Sequence, residues 1–266
     1  MPVSGNIENQ WIESASRNPG AELRLFCFPY AGGSASIFAS WSRALPNFVQ
    51  VAPVQLPGRG HRIAEAPWRR IDQLADAIAE DLLPVFKEKP FAFFGHSMGA
   101  TLGFEVAGRL AQRHKIRPEV FLISGRRAPH LPDDEPQTYD LPEEEFIHEL
   151  RRLNGTPKEV LECAELMELL VPVLRADFEA IQTYQYSPAP PLQCPMVVMG
   201  GTEDVEVPRK FLEAWRMHTS SICPVTMFPG DHFFLHSRKE TVLKFIAQTV
   251  TDLWQSRATR NRAPAQ

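Results

Sequence analysis

No stretch of the 266-residue sequence reaches the ~18 consecutive apolar residues that a membrane-spanning helix needs. The opening residues, MPVSGNIENQWIESASRNPG, lack a basic start followed by an apolar run, so no secretory leader is expected and the default location is the cytoplasm. Cysteine is scarce: only Cys27, Cys163, Cys194 and Cys223 occur, and no two stand as CxxC. A chain this long does not depend on disulfide staples, so these are expected to be core or half-buried thiols in a reducing compartment. No strong charge bias exists either. The formal net charge is -4, which gives no general attraction for nucleic acid or an anionic membrane, and neither is expected as a partner. The end of the chain, Ser256 to Gln266, carries Arg257, Arg260 and Arg262 but nothing apolar larger than alanine, and reads as a flexible tail rather than a binding arm. There is no internal repeat and no long low-complexity segment.

What is present is enough apolar residue, 44%, for a continuous core, with charged residues at an ordinary 23%. Short apolar runs alternate with longer helical stretches. Leu23 to Phe28, Phe48 to Val54, Pro90 to Phe94, Val120 to Ser124, Met196 to Met199 and Pro224 to Phe228 read as strands. Leu74, Ile78, Leu82 and Val85 recur at helical spacing from Ile71 onward. A helix is expected from about Met98 to Arg113, and a last one from about Lys239 to Trp254. Strands separated by helices imply mostly parallel pairing, because a parallel neighbour needs a crossover. Runs apolar at every position imply a sheet covered on both faces. The expectation is an α/β class chain: a mostly parallel central sheet flanked by helices. It divides into an N-terminal extension (1–20), a single domain (21–255) and the tail (256–266).

One region breaks the alternation. Between Pro129 and Pro191 no strand is evident. Phe146, Ile147, Leu150 and Leu153 form one helical face. Met167, Leu170, Leu174, Phe178 and Ile181 form another, with Pro172 expected to kink or break its helix. So much helix between two strands reads as a lid insertion at about 130–190, rather than as an ordinary crossover.

The most informative segment is PFAFFGHSMGATLGFEVAGRL. It holds Gly95-His96-Ser97-Met98-Gly99, a match to G-x-S-x-G. Five residues are a weak signal alone. Here they fall between a buried strand and a helix rich in small residues, the setting of a nucleophile elbow in an α/β-hydrolase fold. The turn strains the serine backbone, and a Cβ at either flanking glycine would collide with the adjoining strand or helix. Ser97 is therefore the candidate nucleophile. His96, adjacent to it, must point elsewhere and is expected to be structural.

In this fold the chain order is serine, acid, histidine. Of the late histidines, His232 in FPGDHFFLH lies in a loop after the last strand, whereas His218 ends a predicted helix and His236 lies a turn beyond the loop. His232 is the candidate base. The acid should follow the strand MVVM, where GGTEDVEVP offers Glu203, Asp204 and Glu206. Asp204 is chosen, because the glycines before it let a short carboxylate reach back to the imidazole, while Glu203 and Glu206 are expected in solvent. Asp231 adjoins His232 in sequence only. For the oxyanion hole, the Met98 amide should supply one donor. The loop Pro29-Tyr30-Ala31-Gly32-Gly33 should supply the second from Tyr30 or Ala31, with Ala31 preferred.

With those residues in place, the chain resembles the stand-alone type II thioesterases of polyketide and nonribosomal peptide synthesis, and is similar to the medium-chain thioesterase of animal fatty acid synthesis. The matching segments are CFPYAGGSAS (27–36), QLPGRGHR (55–62), FFGHSMGATLGFEVA (93–107), RADF (175–178), GGTEDVEVP (200–208) and FPGDHFFL (228–235). The resemblance implies hydrolysis of stalled or misprimed acyl groups from the phosphopantetheine arm of acyl or peptidyl carrier proteins. It implies the same triad, a helical lid, and no metal or organic cofactor. Tyr30 departs slightly from relatives that carry Phe, His or Trp there. Arg59 either meets the phosphate of the arm or pins its own loop, the latter being preferred. A monomer is the default expectation. A carboxylesterase, an acyltransferase on the same fold and a non-catalytic carrier-protein docking module are the alternatives. The intact Ser/Asp/His set argues against the docking module.

Overall fold

The apolar runs become six strands: β1 (Leu23–Phe28), β2 (Val49–Pro53), β3 (Phe91–His96), β4 (Phe121–Ser124), β5 (Met196–Gly201) and β6 (Val225–Phe228). The computed structural model describes residues 9–13, 18, 20–133 and 136–262, with side chains to residue 257. The strands form one sheet in the order β2-β1-β3-β4-β5-β6, every neighbour parallel. Both faces are covered, which is why β1, β3, β4 and β5 are buried at every position. Alternate residues feed two separate cores. Phe26, Phe28 and Phe93 pack with Leu74 and Ile78 of α1 (Ile71–Asp81), which is followed by α2 (Leu83–Glu88), and with Leu102 and Val106 of α3 (Met98–Arg109). Leu25, Cys27 and Phe94 point the other way, toward Val242, Ile246 and Val250 near the C-terminal end of the chain. Arg24 is the exception in β1. It is buried but sits at the strand's start, where its guanidinium reaches the Val85 carbonyl at 3.0 Å and Glu88 at 3.0 Å.

Between β4 and β5 the chain inserts α4 (Glu143–Leu153), α5 (Lys158–Leu161) and α6 (Ala164–Gln182). Phe146 and Leu150 of α4 meet Met167 and Leu174 of α6 in a small core of their own. Arg175 lies 4.4 Å from the Phe146 ring and donates to the Tyr139 carbonyl at 2.6 Å. Pro172 does not break α6, which runs unbroken for 19 residues. The proline removes one backbone donor, and the orphaned Glu168 carbonyl lies on the same exposed face, where water can serve it. The chain ends with α7 (Arg209–Glu213), α8 (Phe234–Ser237) and α9 (Lys239–Arg262).

Both ends of the domain differ from expectation. α9 continues through residues read as tail, as far as Arg262. Its late turns are held by polar contacts that an apolar pattern does not reveal: the Trp254 indole donates to Glu22 at 3.2 Å, and Arg257 pairs with Glu119 at 3.4 Å. Residues 263–266 lie outside the described residues. At the other end, residues 9–13 belong to the body. Trp11 is 1% exposed, donates to Asp81 at 2.8 Å and stacks under Arg62, while Ile12 bridges Val54. The rest of the expected extension falls mainly on undescribed residues 1–8, 14–17 and 19. All four cysteines are free, Cys27, Cys194 and Cys223 buried and Cys163 half-buried. Among the described residues no helix is long and apolar enough to cross a membrane.

Candidate active site

The strand order reverses between β1 and β3, and in parallel α/β sheets ligands commonly bind beyond the carboxyl ends of the strands at such a reversal. Register places Phe28 beside Gly95, so the loop after β1 starts next to the turn after β3. Ser97 occupies that turn with φ 52° and ψ −121°, a conformation that L-residues rarely adopt. Its amide is held by the Ser124 carbonyl at 2.8 Å, and its own carbonyl accepts from the Ala100 amide at 2.9 Å. A Cβ on Gly95 would stand 2.3 Å from the Gly99 carbonyl oxygen, and one on Gly99 would stand 2.2 Å from the Phe28 oxygen. Both glycines therefore serve close backbone approach, and the second brings the β1 loop directly against the N-terminus of α3.

That loop folds as a tight turn. The Gly33 amide donates to the Tyr30 carbonyl at 2.9 Å, and Gly32 at the third position has φ 76°, the arrangement of a type II turn. Among the described residues, neither the Ala31 amide nor the Met98 amide makes a hydrogen bond. Tyr30 fastens the loop from its other side. Its hydroxyl meets His236 Nε2 at 2.9 Å, and its ring packs edge-on against Phe233. Burial pushes the Tyr30 hydroxyl up to about 12, so it stays protonated. Burial also lowers His236, assisted by Lys239.

At the far side, Gly201 pairs with Phe228, which brings the loops after β5 and β6 together. Gly200 and Gly201 end the strand rather than forming a turn. A Cβ on Gly201 would lie 2.3 Å from the Asp231 carbonyl, so the second glycine admits the β6 loop. Asp204, its carboxylate 1% exposed, accepts from the amides of Glu206 at 3.1 Å and Val207 at 3.0 Å through Oδ1. Its Oδ2 lies 2.7 Å from His232 Nδ1. A carboxylate only accepts, so Nδ1 donates, and in the neutral imidazole this leaves the lone pair on Nε2. His232 also sits beside the turn of Ser97: a Cβ on Gly125, the residue after Ser124, would lie 3.4 Å from His232 Cε1.

The remaining candidates are accounted for. His96 is fully buried, with Nδ1 2.9 Å from Ser124 Oγ and its ring 5.0 Å from that of His232. Burial holds its pKa well below the usual imidazole range, with the charges of His232 and His236 adding, so it stays neutral beneath His232. His218 is bound to His130 at 2.7 Å, and burial lowers it to about 4. Asp231 caps the Phe233 amide at 2.9 Å and accepts from Asn154 at 3.1 Å. Glu203 is exposed, but Glu206 is half-buried and joined to Arg152 of α4 at 3.2 Å. A cleft of about 1000 Å3 opens at the far end of α3, beside Gly108, Arg109 and Tyr184, and includes none of Ser97, Asp204 or His232.

Residues that sequence reading missed or left open complete the surroundings. Arg59 is 7% exposed and paired with Asp177 of α6, Nη2 to Oδ1 at 2.8 Å. It pins its loop. The segments LPGR and RADF were visible in the sequence, but nothing in their spacing joined them. The insertion touches the site loops at Asn154, Arg152 and Asp177.

Residues 23–250 match the family model described as a thioesterase domain. Among curated relatives, the gramicidin S biosynthesis protein GrsT of Aneurinibacillus migulanus is 45% identical over 240 residues, covering 90% of this chain and 93% of that one. Among solved structures, the RedJ thioesterase from the prodiginine pathway of Streptomyces coelicolor superposes with a TM-score of 0.82 at 36% identity, covering 93% of this chain and 91% of that one. The type II thioesterase BorB from the borrelidin biosynthetic cluster gives a TM-score of 0.82 at 36% identity, covering 92% and 99%.

Proposed function

The chain belongs to the thioesterase family, and from that premise and the site geometry we propose that it hydrolyses acyl thioesters on the phosphopantetheine arm of acyl or peptidyl carrier proteins, clearing stalled or misprimed chains in polyketide or nonribosomal peptide synthesis. GrsT is named for gramicidin S biosynthesis, and BorB is described as a type II thioesterase of the borrelidin biosynthetic cluster, which supports a biosynthetic acyl thioester as substrate. The observation that carries the chemistry is the strained Ser97 at the reversal of strand order, with the Asp204–His232 pair, 2.7 Å apart, on the neighbouring loops.

In this reading His232 Nε2 takes the Ser97 proton as Oγ bonds to the thioester carbonyl carbon. The negative charge moves to the carbonyl oxygen, where the Met98 and Ala31 amides receive it. The Tyr30–Ala31 peptide supports Ala31 as the second donor. Its carbonyl turns inward to Gly33, and in a trans peptide the Ala31 N–H points the opposite way. The C–S bond then breaks as His232 passes that proton to the departing sulfur, so pantetheine leaves as the thiol and the imidazole is neutral again; sulfur is a better leaving group than an alkoxide and less dependent on this protonation. Water, deprotonated by the same imidazole, attacks the acyl-serine and releases the free acid and Ser97. Asp204 holds the tautomer and balances the imidazolium. No metal or organic cofactor takes part in these steps. The α4–α6 insertion acts as a lid over the acyl chain.

The test is a comparison of leaving groups. Acetyl, propionyl and longer chains are loaded on a carrier protein, on small thiols and on alcohols. The proposal expects release from the carrier to be fastest at equal chain length; faster cleavage of the oxygen esters would reassign the protein as a carboxylesterase.

A further inference from the structure

Asp177 belongs to the helical insertion, yet it is 1% exposed and bound to the loop that follows β1. Its Oδ2 accepts from the Gly32 amide at 2.7 Å, the central amide of the turn between Tyr30 and Gly33. Arg59 grips both carboxylate oxygens, Nη1 to Oδ2 at 2.5 Å and Nη2 to Oδ1 at 2.8 Å. The same guanidinium donates to the Gly33 carbonyl at 3.3 Å and to the Pro57 carbonyl at 3.3 Å. One helical turn earlier, Leu174 closes on the turn so tightly that a Cβ on Gly32 would lie 2.4 Å from its Cδ2.

Apolar side chains hold a helix to a loop at least as well as a buried ion pair, which must first be desolvated. The polar arrangement therefore points to what only it supplies, an acceptor for the Gly32 amide. That acceptor fixes the Ala31–Gly32 peptide plane, while the Gly33 bond to Tyr30 fixes the plane before it. Ala31 is left between two fixed planes. A bare carboxylate beside this turn would oppose negative charge developing on the substrate oxygen, and Arg59 cancels it.

We propose that Asp177, oriented by Arg59, is a positioning residue for the reaction: it sets the Ala31 amide toward the oxyanion, so that the oxyanion hole is complete only while α6 is docked on the loop. This rests on the thioesterase reading above, from which it takes Ala31 as donor. Site assembly is thereby coupled to the insertion that covers the substrate.

The experiment measures kcat and KM on an acyl-pantetheine thioester, together with the affinity of an alkyl boronic acid, whose tetrahedral adduct on serine mimics the oxyanion. Wild type, Ser97→Ala, Asp177→Leu, which removes the acceptor, and the paired variant Arg59→Leu/Asp177→Leu are compared, each checked for a cooperative melt. Loss of one oxyanion donor is worth ~10²–10³ in rate, so its misplacement in Asp177→Leu should lower kcat by roughly 10–10²-fold. Boronate affinity should fall in parallel and KM should change little, the signature of an interaction made in the transition state. The paired variant keeps an apolar contact and should show the same loss of kcat. Either folded variant with wild-type kcat, or a loss confined to KM, overturns the inference. Failure of both to fold overturns it too, since the pair would then serve the fold and not the turn. A wild type without thioester turnover would instead strike at the function, whereas an active wild type with a dead Ser97→Ala and a fully active Asp177→Leu would strike at this inference alone.

Discussion

Replacing Gly99 by alanine tests the construction of the site with a single methyl group. The new Cβ would lie 2.2 Å from the Phe28 carbonyl oxygen and 2.6 Å from that of Pro29. Both obstacles are backbone, so no side chain can swing away. Ordinary contact begins near 3.4 Å, so the start of the β1 loop must retreat from α3 by about 1 Å. Overpacking of this kind costs about 1–3 kcal/mol, or roughly 2–12 °C in melting temperature for a domain of this size. The same retreat separates the Ala31 and Met98 amides, and a 1 Å misplacement costs ~10²-fold in rate. Gly108 in the same helix is the control. Nothing lies within 4 Å of its added Cβ, and it has ordinary helical geometry. Gly108→Ala should gain about 0.5–1 kcal/mol and leave turnover unchanged. Thermal melts followed by circular dichroism and steady-state kinetics on one thioester suffice as the assay. A Gly99→Ala enzyme with wild-type melting temperature and kcat would refute the close-approach argument, as would equal damage from Gly108→Ala.

Asp204→Asn should retain the fold and lose up to ~10⁴ in kcat, the loss known for the equivalent change in another serine hydrolase, because the amide can present its N–H to Nδ1 and stabilise the wrong tautomer; steady-state kinetics would show it. Trp11→Ala should destabilise by about 3–5 kcal/mol in denaturant titration while kcat at low temperature stays near wild type, since Trp11 packs in the core on the α1 side rather than in the site. Stability should fall on acidification. His218 has a folded pKa lowered to about 4 against an unfolded value of about 6.5, so the unfolded chain binds the extra proton and stability is lost as pH drops from 6.5 toward 4. The loss is at most about 3 kcal/mol from this residue, and urea midpoints between pH 7 and pH 5 should shrink less in His218→Gln than in wild type.

The sheet was legible because its strands are buried on both faces and bounded by turns, so LRLFCF and PFAFF announce themselves without partners. The strand–turn–helix around Ser97 was legible because strand, G-x-S-x-G and helix are contiguous, and the meeting of His232 with Asp204 because the loops that carry them follow recognisable strands. What the sequence hid is contact between distant segments. Arg59 and Asp177 stand 118 residues apart, and neither segment has a pattern that calls for the other. Trp11 looked like part of a loose extension because a lone aromatic in a polar stretch carries no periodicity. The end of α9 looked like a tail because Trp254, Arg257 and their partners hold it through single polar contacts rather than an apolar stripe. The break expected at Pro172 is absent because the proline forbids one hydrogen bond, and on an exposed face that bond is replaceable.

In the proposed reaction Ser97 carries the acyl group between the carrier and water. This step is tested most directly by mixing an acyl-carrier protein with wild type and with Ser97→Ala, quenching in acid within the first turnover, and weighing the intact protein. Wild type should show a transient mass increase of one acyl group, mapped to the peptide containing Ser97, and the variant neither adduct nor release. Release at the wild-type rate by Ser97→Ala, or an adduct on another residue, would contradict it.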